Sequence, residues 1–226
     1  RNAALCVKGI TVHNGVQTEP ERDAAQYSPA MKLPEGAFPV LVTASNLATH
    51  KRLDDLIEAM ETIAQEYPQA LLLIAGEGTH RRQLEKQIER KGLQNRILLK
   101  GYITNMVSFL ETADIVLCPF EEEGFGLVAL EAMARKKPVI SADSGALPEI
   151  VQEGKTGLFY PVRDVPALVE KIRQLAESPE IRQRLGQQGF IRATQDFAGS
   201  LQVERIRGVI DEVCAVRIIR KRRGHA

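Results

Sequence analysis

From residue 39 onward, the sequence alternates short apolar runs with stretches of helical periodicity. Residues 70–75 form a continuous apolar run, which is typical of a parallel strand buried on both faces. The next stretch places Leu84 and Ile88 on one side of a helix and ends at Gly92, a residue favoured just beyond helix C-termini. Strands separated by such helices predict right-handed crossovers. The predicted fold is therefore α/β, a Rossmann-like, doubly wound parallel sheet.

The alternation also sets the predicted limits of the domain. The predicted strands are 40–45, 70–75, 97–99, 114–118, 138–141 and 157–160, and residues 10–12 could form one more. The first predicted helix carries Leu56, Met60, Ile63 and Tyr67 on one stripe and stops at Pro68; the others are 80–91, 105–112, 125–135, 146–152, 164–177, 179–195 and 199–215. We predict a Rossmann-like domain over 39–200, a preceding segment 1–38 with a polar linker at 17–37, and a C-terminal helix with a basic tail over 201–226.

Charge and cysteine content exclude several classes of protein. The net charge of +1 gives no overall attraction to nucleic acid, so no nucleic-acid partner is expected. Cys6, Cys118 and Cys214 lie far apart without a CxxC pair, which argues against a disulfide framework or zinc site and favours the cytoplasm. No apolar run reaches the roughly 18 residues of a membrane span. Residues 213–226 carry basic but no acidic side chains, so this tail either contacts an anionic membrane surface or is a solvated charged end.

The loop after the fourth predicted strand has the most unusual composition. In an open parallel sheet, ligands bind beyond the carboxyl ends of the strands. Gly124 and Gly126 let the backbone approach a ligand, and free N–H groups at a helix start favour an anion or a sugar oxygen. Glu123 precedes this helix and Glu131 lies within it, and carboxylate oxygens can hold a vicinal diol. The alternative is that these acids are solvated side chains that favour a helix start.

Residues 123–134 resemble the Glu-x7-Glu signature of retaining glycosyltransferases with the GT-B fold, the group related to glycogen synthase and sucrose-phosphate synthase. Other matching segments fall in the family's order and spacing: 75–78, 101–102, 113–114, 138–140, 145–149, Gly154 and Gly157. The similarity covers residues 10 to about 198 and is to the family's C-terminal, donor-binding half. Residues 11–16 resemble the segment that ends the family's N-terminal domain and begins the hinge, so 1–38 would be the end of that domain and the interdomain linker.

The resemblance implies a role for each matching side chain. Glu123 would hold hydroxyls of the transferred sugar close to the reacting centre, and Glu131 would hold the ribose hydroxyls of the nucleotide. Lys51 would stabilise the charge that develops on the departing diphosphate. Asn46 stands where the family has an arginine, which removes one of two phosphate-binding cations.

The remaining implied donor contacts come from the main chain. The sugar or diphosphate would meet Gly124, Phe125, Gly126 and Leu127, and the base would meet Tyr102 and Ile103. No Asp-x-Asp pair and no cluster with metal-ligand spacing occurs, so we expect donor binding without a metal and without another cofactor.

The sequence predicts the donor-binding domain of a retaining glycosyltransferase that uses a UDP-, GDP- or ADP-sugar and an acceptor that is a glycan, a lipid or a small molecule. Because the chain begins with Arg1 rather than Met, we expect it to be a piece of a longer enzyme that lacks the N-terminal half needed for full activity. Asn46 and the missing half favour an alternative, a non-catalytic nucleotide-sugar-binding module or partner subunit. A GT-B-fold epimerase is a second alternative, against which the Glu-x7-Glu spacing argues.

Overall fold

The computed structural model describes residues 12–16 and 33–223, with side chains described as far as residue 213. Most of the strand predicted at 10–12 and of the linker predicted at 17–37 lies outside these residues. The strands are β1 Val40–Ala44, β2 Leu71–Ala75, β3 Ile97–Gly101, β4 Ile115–Cys118, β5 Val139–Ala142 and β6 Gly157–Tyr160. The helices are α1 Leu53–Glu66, α2 Arg81–Arg90, α3 Met106–Glu111, α4 Leu127–Met133, α5 Leu147–Ile150, α6 Val165–Glu177, α7 Pro179–Asp196 and α8 Gly199–Arg223, and a short 3-10 turn, Thr49–Lys51, precedes α1. The predicted order of elements is confirmed.

All six strands of the described sheet are parallel, in the order β3-β2-β1-β4-β5-β6. The direction of winding reverses between β1 and β4, which are neighbours in the sheet although three crossovers separate them in the chain. Such a switch point opens a crevice at the carboxyl edge of the sheet. The predicted Rossmann-like, doubly wound fold is confirmed.

Alternate residues of the buried strands supply the two faces of the core. On β2, Leu72 packs in the layer covered by α1, α2 and α6, whereas Leu73 packs in the layer covered by α3, α4 and α5. The stripe predicted on α1 is buried at Leu56, Met60 and Ile63. Since burial of each large aliphatic side chain contributes about 1.5–3 kcal/mol, these two layers hold the sheet edge rigid beneath its loops.

Several helix boundaries differ from the prediction by one or more residues, and for two of them the sequence supplies a local reason. Helix α4 begins at Leu127 instead of residue 125 because Gly126 has a φ of 92°, which no α-helical residue adopts. Helix α8 begins at Gly199 and continues to Arg223, so it extends beyond the predicted end at 215, and the predicted domain limit at 200 falls within it. No Gly or Pro interrupts the sequence between Gly208 and Gly224, which allows the longer helix.

The short segment 12–16 is bonded to the junction of α7 and α8. The amide of Val16 donates to the carbonyl of Phe197 at 2.8 Å, and the amide of Gly199 donates to the carbonyl of Val16 at 3.0 Å. The amide of Gly15 donates to Oε1 of Gln202 at 2.9 Å. These bonds hold the segment against the domain.

Within the described residues, no helix has the length and apolar composition that crossing a bilayer requires.

Candidate functional site

The loops that follow β1 and β4 meet at the switch point of the sheet. Lys51 lies in the turn after β1 and Glu123 in the loop after β4, and Lys51 Nζ is 2.8 Å from Glu123 Oε2. Both side chains are largely shielded, with 13% and 17% of their surfaces exposed. The structure therefore brings together the two residues for which the sequence predicts catalytic roles.

The Glu123 carboxylate is held on both of its oxygens. Oε1 accepts the amide N–H of Gly126 at 3.2 Å and that of Phe125 at 3.4 Å, while Oε2 accepts from Lys51. Burial alone would raise the pKa of Glu123, but the hydrogen bond and charge of Lys51 and the two amides outweigh it and hold the pKa below its usual value. Glu123 is therefore a carboxylate anion at neutral pH.

A second loop fixes the backbone around Glu123. The amide of Ala146 donates to the carbonyl of Glu123 at 3.0 Å. Gly145 has a φ of 57°, and a Cβ at this position would lie 2.5 Å from the carbonyl oxygen of Glu123. Only glycine allows this close approach. The amide of Glu121 also donates to the carbonyl of His50 at 3.0 Å, which joins the Glu123 loop to the Lys51 turn.

Lys51 is positioned by its neighbours in the turn. Its Nζ lies 4.8 Å from the centre of the Phe120 ring, a cation–π contact. The next residue, Arg52, has a φ of 51° and binds Asp55 through two bonds, Nη2 to Oδ1 at 2.6 Å and Nε to Oδ2 at 3.0 Å. Burial raises the pKa of Asp55, against the opposing effect of Arg52. The Arg52–Asp55 pair thus holds the chain direction from the turn into α1.

Glu131 lies in a separate part of the site. It lines a cavity of about 180 Å³ together with Val16, Asn105 and Arg135. Burial raises the pKa of Glu131, and the charge of Arg135 opposes this effect only in part. The carboxyl group therefore faces an enclosed space large enough for a few polar atoms of a ligand.

A larger cavity, of about 390 Å³, opens over the ends of β1 and β2. Its walls include three residues predicted to contact a donor: Asn46, Tyr102 and Ile103. Tyr102 is 79% exposed, which leaves its ring accessible at the rim. Met106 lines both cavities, so the two spaces are adjacent. Glu131 lines the smaller cavity, and Asn46, Tyr102 and Ile103 line the larger one.

Other predicted contacts lie next to the ion pair. Phe125 and Gly126 direct their amides at Glu123, Gly124 is exposed in the same loop, and Leu127 is the first residue of α4.

Sequence reasoning missed the roles of Arg52, Asp55 and His13. His13 Nε2 lies 3.0 Å from Glu149 Oε2, and 136 residues separate the two in the chain. A contact between such distant residues leaves no local signal in a single sequence.

In the part of the chain that the structure describes, no group of three His, Cys, Asp or Glu side chains is placed to hold a metal ion. Donor binding without a metal stays a prediction.

Comparisons with known proteins identify the family of this chain. The model of the family described as "Glycosyl transferases group 1" matches residues 30–192. The chain is 31% identical over 188 residues to glycogen synthase of Mycobacterium tuberculosis, a match that covers 82% of this chain and 44% of the enzyme.

Comparison with solved structures points to the same family. Sucrose-phosphate synthase from Thermosynechococcus elongatus superposes with a TM-score of 0.80 at 27% identity, covering 91% of this chain and 52% of that one. Anabaena HepE, solved in complex with UDP-glucose, gives 0.73 at 26% identity, covering 77% and 49%. The chain spans about half the length of these relatives. By sequence and by fold, this chain belongs to the glycosyl transferases group 1 family, as its Glu-x7-Glu segment predicts.

Proposed function

We propose that this chain is the donor-binding half of a retaining glycosyltransferase that takes a sugar from a nucleotide diphosphate to an acceptor hydroxyl. The observation that carries the proposal is the shielded Lys51–Glu123 pair, together with two adjacent cavities of which one is lined by Glu131. A cation, a sugar-binding carboxylate and a ribose-binding carboxylate are the three polar groups that such a donor requires, and they lie along one edge of the sheet.

The base and ribose would occupy the two cavities. We place the base in the larger cavity, against the main chain of Tyr102 and Ile103, and the ribose hydroxyls on the Glu131 carboxylate. A carboxylate accepts two hydroxyl hydrogen bonds, and burial makes such bonds stronger than in water. Because HepE binds UDP-glucose, we propose UDP as the first nucleotide to test, followed by GDP and ADP.

The reacting centre would lie at Lys51 and Glu123. When the bond between the anomeric carbon and the diphosphate oxygen breaks, the electron pair leaves with the diphosphate. Lys51 stabilises that charge without a metal ion. The acceptor oxygen forms its bond on the face that the diphosphate leaves, and its proton passes to the departing oxygen. Glu123 orients the sugar by accepting hydrogen bonds from its hydroxyls.

Asn46 supports one alternative, a nucleotide-sugar-binding module that performs no transfer. Its position at the rim of the larger cavity carries an amide rather than a cation, so Lys51 supplies the only charge that the sequence offers at the family's two phosphate positions. Donor binding without release of the sugar to any acceptor, when the chain is joined to its N-terminal half, would favour this module over the enzyme.

Replacing Glu131 by alanine should weaken binding of the bare nucleotide diphosphate by at least about tenfold. The ribose then loses its charged acceptor, and a hydrogen bond to a charged group contributes about 1.5–3 kcal/mol. Isothermal titration calorimetry with UDP, GDP and ADP measures the loss. Glu122→Ala, in the exposed part of the same loop, is the matched control and should bind like the wild type. Equal affinities for all three proteins would contradict the role of Glu131.

Replacing Asn46 by arginine should tighten binding of the same nucleotide by about tenfold. A guanidinium offers charge-assisted hydrogen bonds to phosphate, which are roughly twice as strong as neutral ones. The gain should shrink between 50 and 500 mM salt because charge attraction is screened (roughly threefold shorter range at the higher salt). Asn95→Arg adds the same charge at an exposed position before β3 and should leave the affinity unchanged. An unchanged affinity in Asn46→Arg at both salt concentrations would show that this position faces away from phosphate.

A further inference from the structure

The ring of His13 packs in a closed triangle with two phenylalanine rings. Its centre lies 6.1 Å from that of Phe125 and 5.7 Å from that of Phe197, and the two phenylalanine rings are 6.3 Å apart. These distances lie within the range of favourable aromatic contacts. Phe125 belongs to the Glu123 loop, whereas Phe197 follows α7. His13 therefore packs one end of the donor-site loop against the helical layer.

The His13 ring is also bonded to the helix that follows the second loop supporting Glu123. Nε2 lies 3.0 Å from Oε2 of Glu149, on helix α5. The residue before α5, Ala146, donates its amide to the carbonyl of Glu123. One side chain from segment 12–16 thus bridges both structures that hold the Glu123 backbone.

The segment itself is well anchored to the domain. Besides its two bonds with Phe197 and Gly199, the backbone at Gly15 lies so close to α8 that a Cβ there would be 2.5 Å from Cα of Gly199. Val16 also lines the cavity that contains Glu131. Since the anchor points lie at the junction of α7 and α8 and in the first turn of α8, His13 connects these helices to the Glu123 loop.

We propose that His13 is a positioning residue of the donor site, which holds Phe125 and thereby keeps the Phe125 and Gly126 amides on Glu123. The effect of His13 on sugar binding rests on the proposed function. The mechanical claim, that His13 holds Phe125 and the two amides in place, does not. The ring contact carries the effect. The bond to Glu149 sets the orientation of the imidazole.

Hydrogen exchange of the ligand-free protein tests the mechanical claim. In His13→Ala, the amides of Phe125 and Gly126 should exchange about threefold to tenfold faster, the range that corresponds to the loss of an aromatic contact. Exchange in β1 and β2 should stay as in the wild type. His80→Ala is the matched control, because His80 Nε2 pairs with Asp54 of α1 at 2.9 Å instead of with α5. It should leave the exchange of the Glu123 loop unchanged.

A conservative variant separates positioning from general stability. His13→Phe keeps a ring against Phe125 and should restore most of the protection that His13→Ala loses. Unchanged exchange of the loop in His13→Ala, acceleration spread equally over β1 and β2, or failure of His13→Phe to restore protection would each overturn the proposal.

Binding then links the inference to function. His13→Ala should weaken binding of UDP-glucose by about threefold to tenfold and leave binding of UDP alone unaffected, since Glu123 is the proposed sugar-binding carboxylate. If the wild type binds neither UDP nor UDP-glucose, nor the GDP and ADP equivalents, the proposed function fails. The exchange result would still decide the role of His13, so the two failures are distinct.

Discussion

Lys51→Met should lower the free energy of unfolding at pH 7 by about 2 kcal/mol, somewhat less than the 3–5 kcal/mol typical of a fully buried pair. The change leaves the shielded Glu123 carboxylate without its cation. Urea denaturation of both proteins measures the difference. Lys155→Met, at an exposed position, is the control and should change stability by less than about 0.5 kcal/mol.

The pH dependence of this difference follows from the pKa of Glu123. In the wild type, Lys51 holds that pKa below the ordinary value of 4.5, so the contribution of the pair is present above that value and is lost as the pH falls through the folded-state pKa. In Lys51→Met, burial would raise the pKa of Glu123, and protonation would relieve the unpaired charge. The two proteins should therefore become closer in stability below about pH 4. A difference that stays constant from pH 7 down to about pH 3 would contradict an ionised pair.

Gly186→Ala should destabilise the protein by about 3 kcal/mol, the upper part of the range for overpacked positions. Gly186 is buried on α7, where an added Cβ would lie 2.0 Å from the carbonyl oxygen of Lys136. The obstacle is backbone, and Lys136 already has a φ of 56°, so the turn has little room to move. At 2–4 °C per kcal/mol for a chain of this size, the melting temperature should fall by roughly 10 °C.

Gly208→Ala on α8 is the matched control, because nothing lies within 4 Å of an added Cβ. In an exposed helix interior, alanine is favoured over glycine by about 0.5–1 kcal/mol, so this variant should be slightly more stable than the wild type. Scanning calorimetry compares the three proteins. If Gly186→Ala and Gly208→Ala shifted the melting temperature alike, close packing of α7 on the Lys136 turn would not be a major constraint.

Local sequence patterns predict most of the strands and helices of the fold. The apolar run at 70–75 predicts β2 because a strand buried on both faces needs aliphatic side chains at every position, and all five residues of β2 are buried. Helix α1 ends before Pro68 because proline has no amide N–H to continue the helix. Helix α2 ends before Gly92 because glycine readily adopts the left-handed conformation that follows many helices. Residue 126 shows the limit of periodicity. The apolar spacing of α4 begins before it, but its positive φ delays the helix to Leu127.

The site could be predicted in part. The rule that ligands bind beyond the carboxyl ends of parallel strands points to the Glu123 loop, and resemblance to the family adds the roles of Lys51 and Glu123. That the two side chains pair directly depends on the register of neighbouring strands and could not be predicted from spacing. The contributions of His13 and of Arg52 with Asp55 depend on tertiary packing and on side-chain direction, which a single sequence does not encode in any local pattern.

The Lys51–Glu123 ion pair means that the cation of the site already has an anionic partner within the protein. Glu123 Oε2 accepts a hydrogen bond from Lys51 Nζ at 2.8 Å, and under the proposed function a phosphate oxygen would compete for that bond. On the proposed function, a donor therefore arrives as a competitor: its diphosphate displaces a carboxylate, and that carboxylate becomes free to accept the hydroxyls of the sugar. A nucleotide without a sugar breaks the ion pair but gives Glu123 no new partner. The protein would thus bind the complete donor more tightly than the nucleotide without its sugar. The difference would arise because Glu123, the internal counter-ion of Lys51, is replaced by the diphosphate and gains a new partner only when the sugar is present.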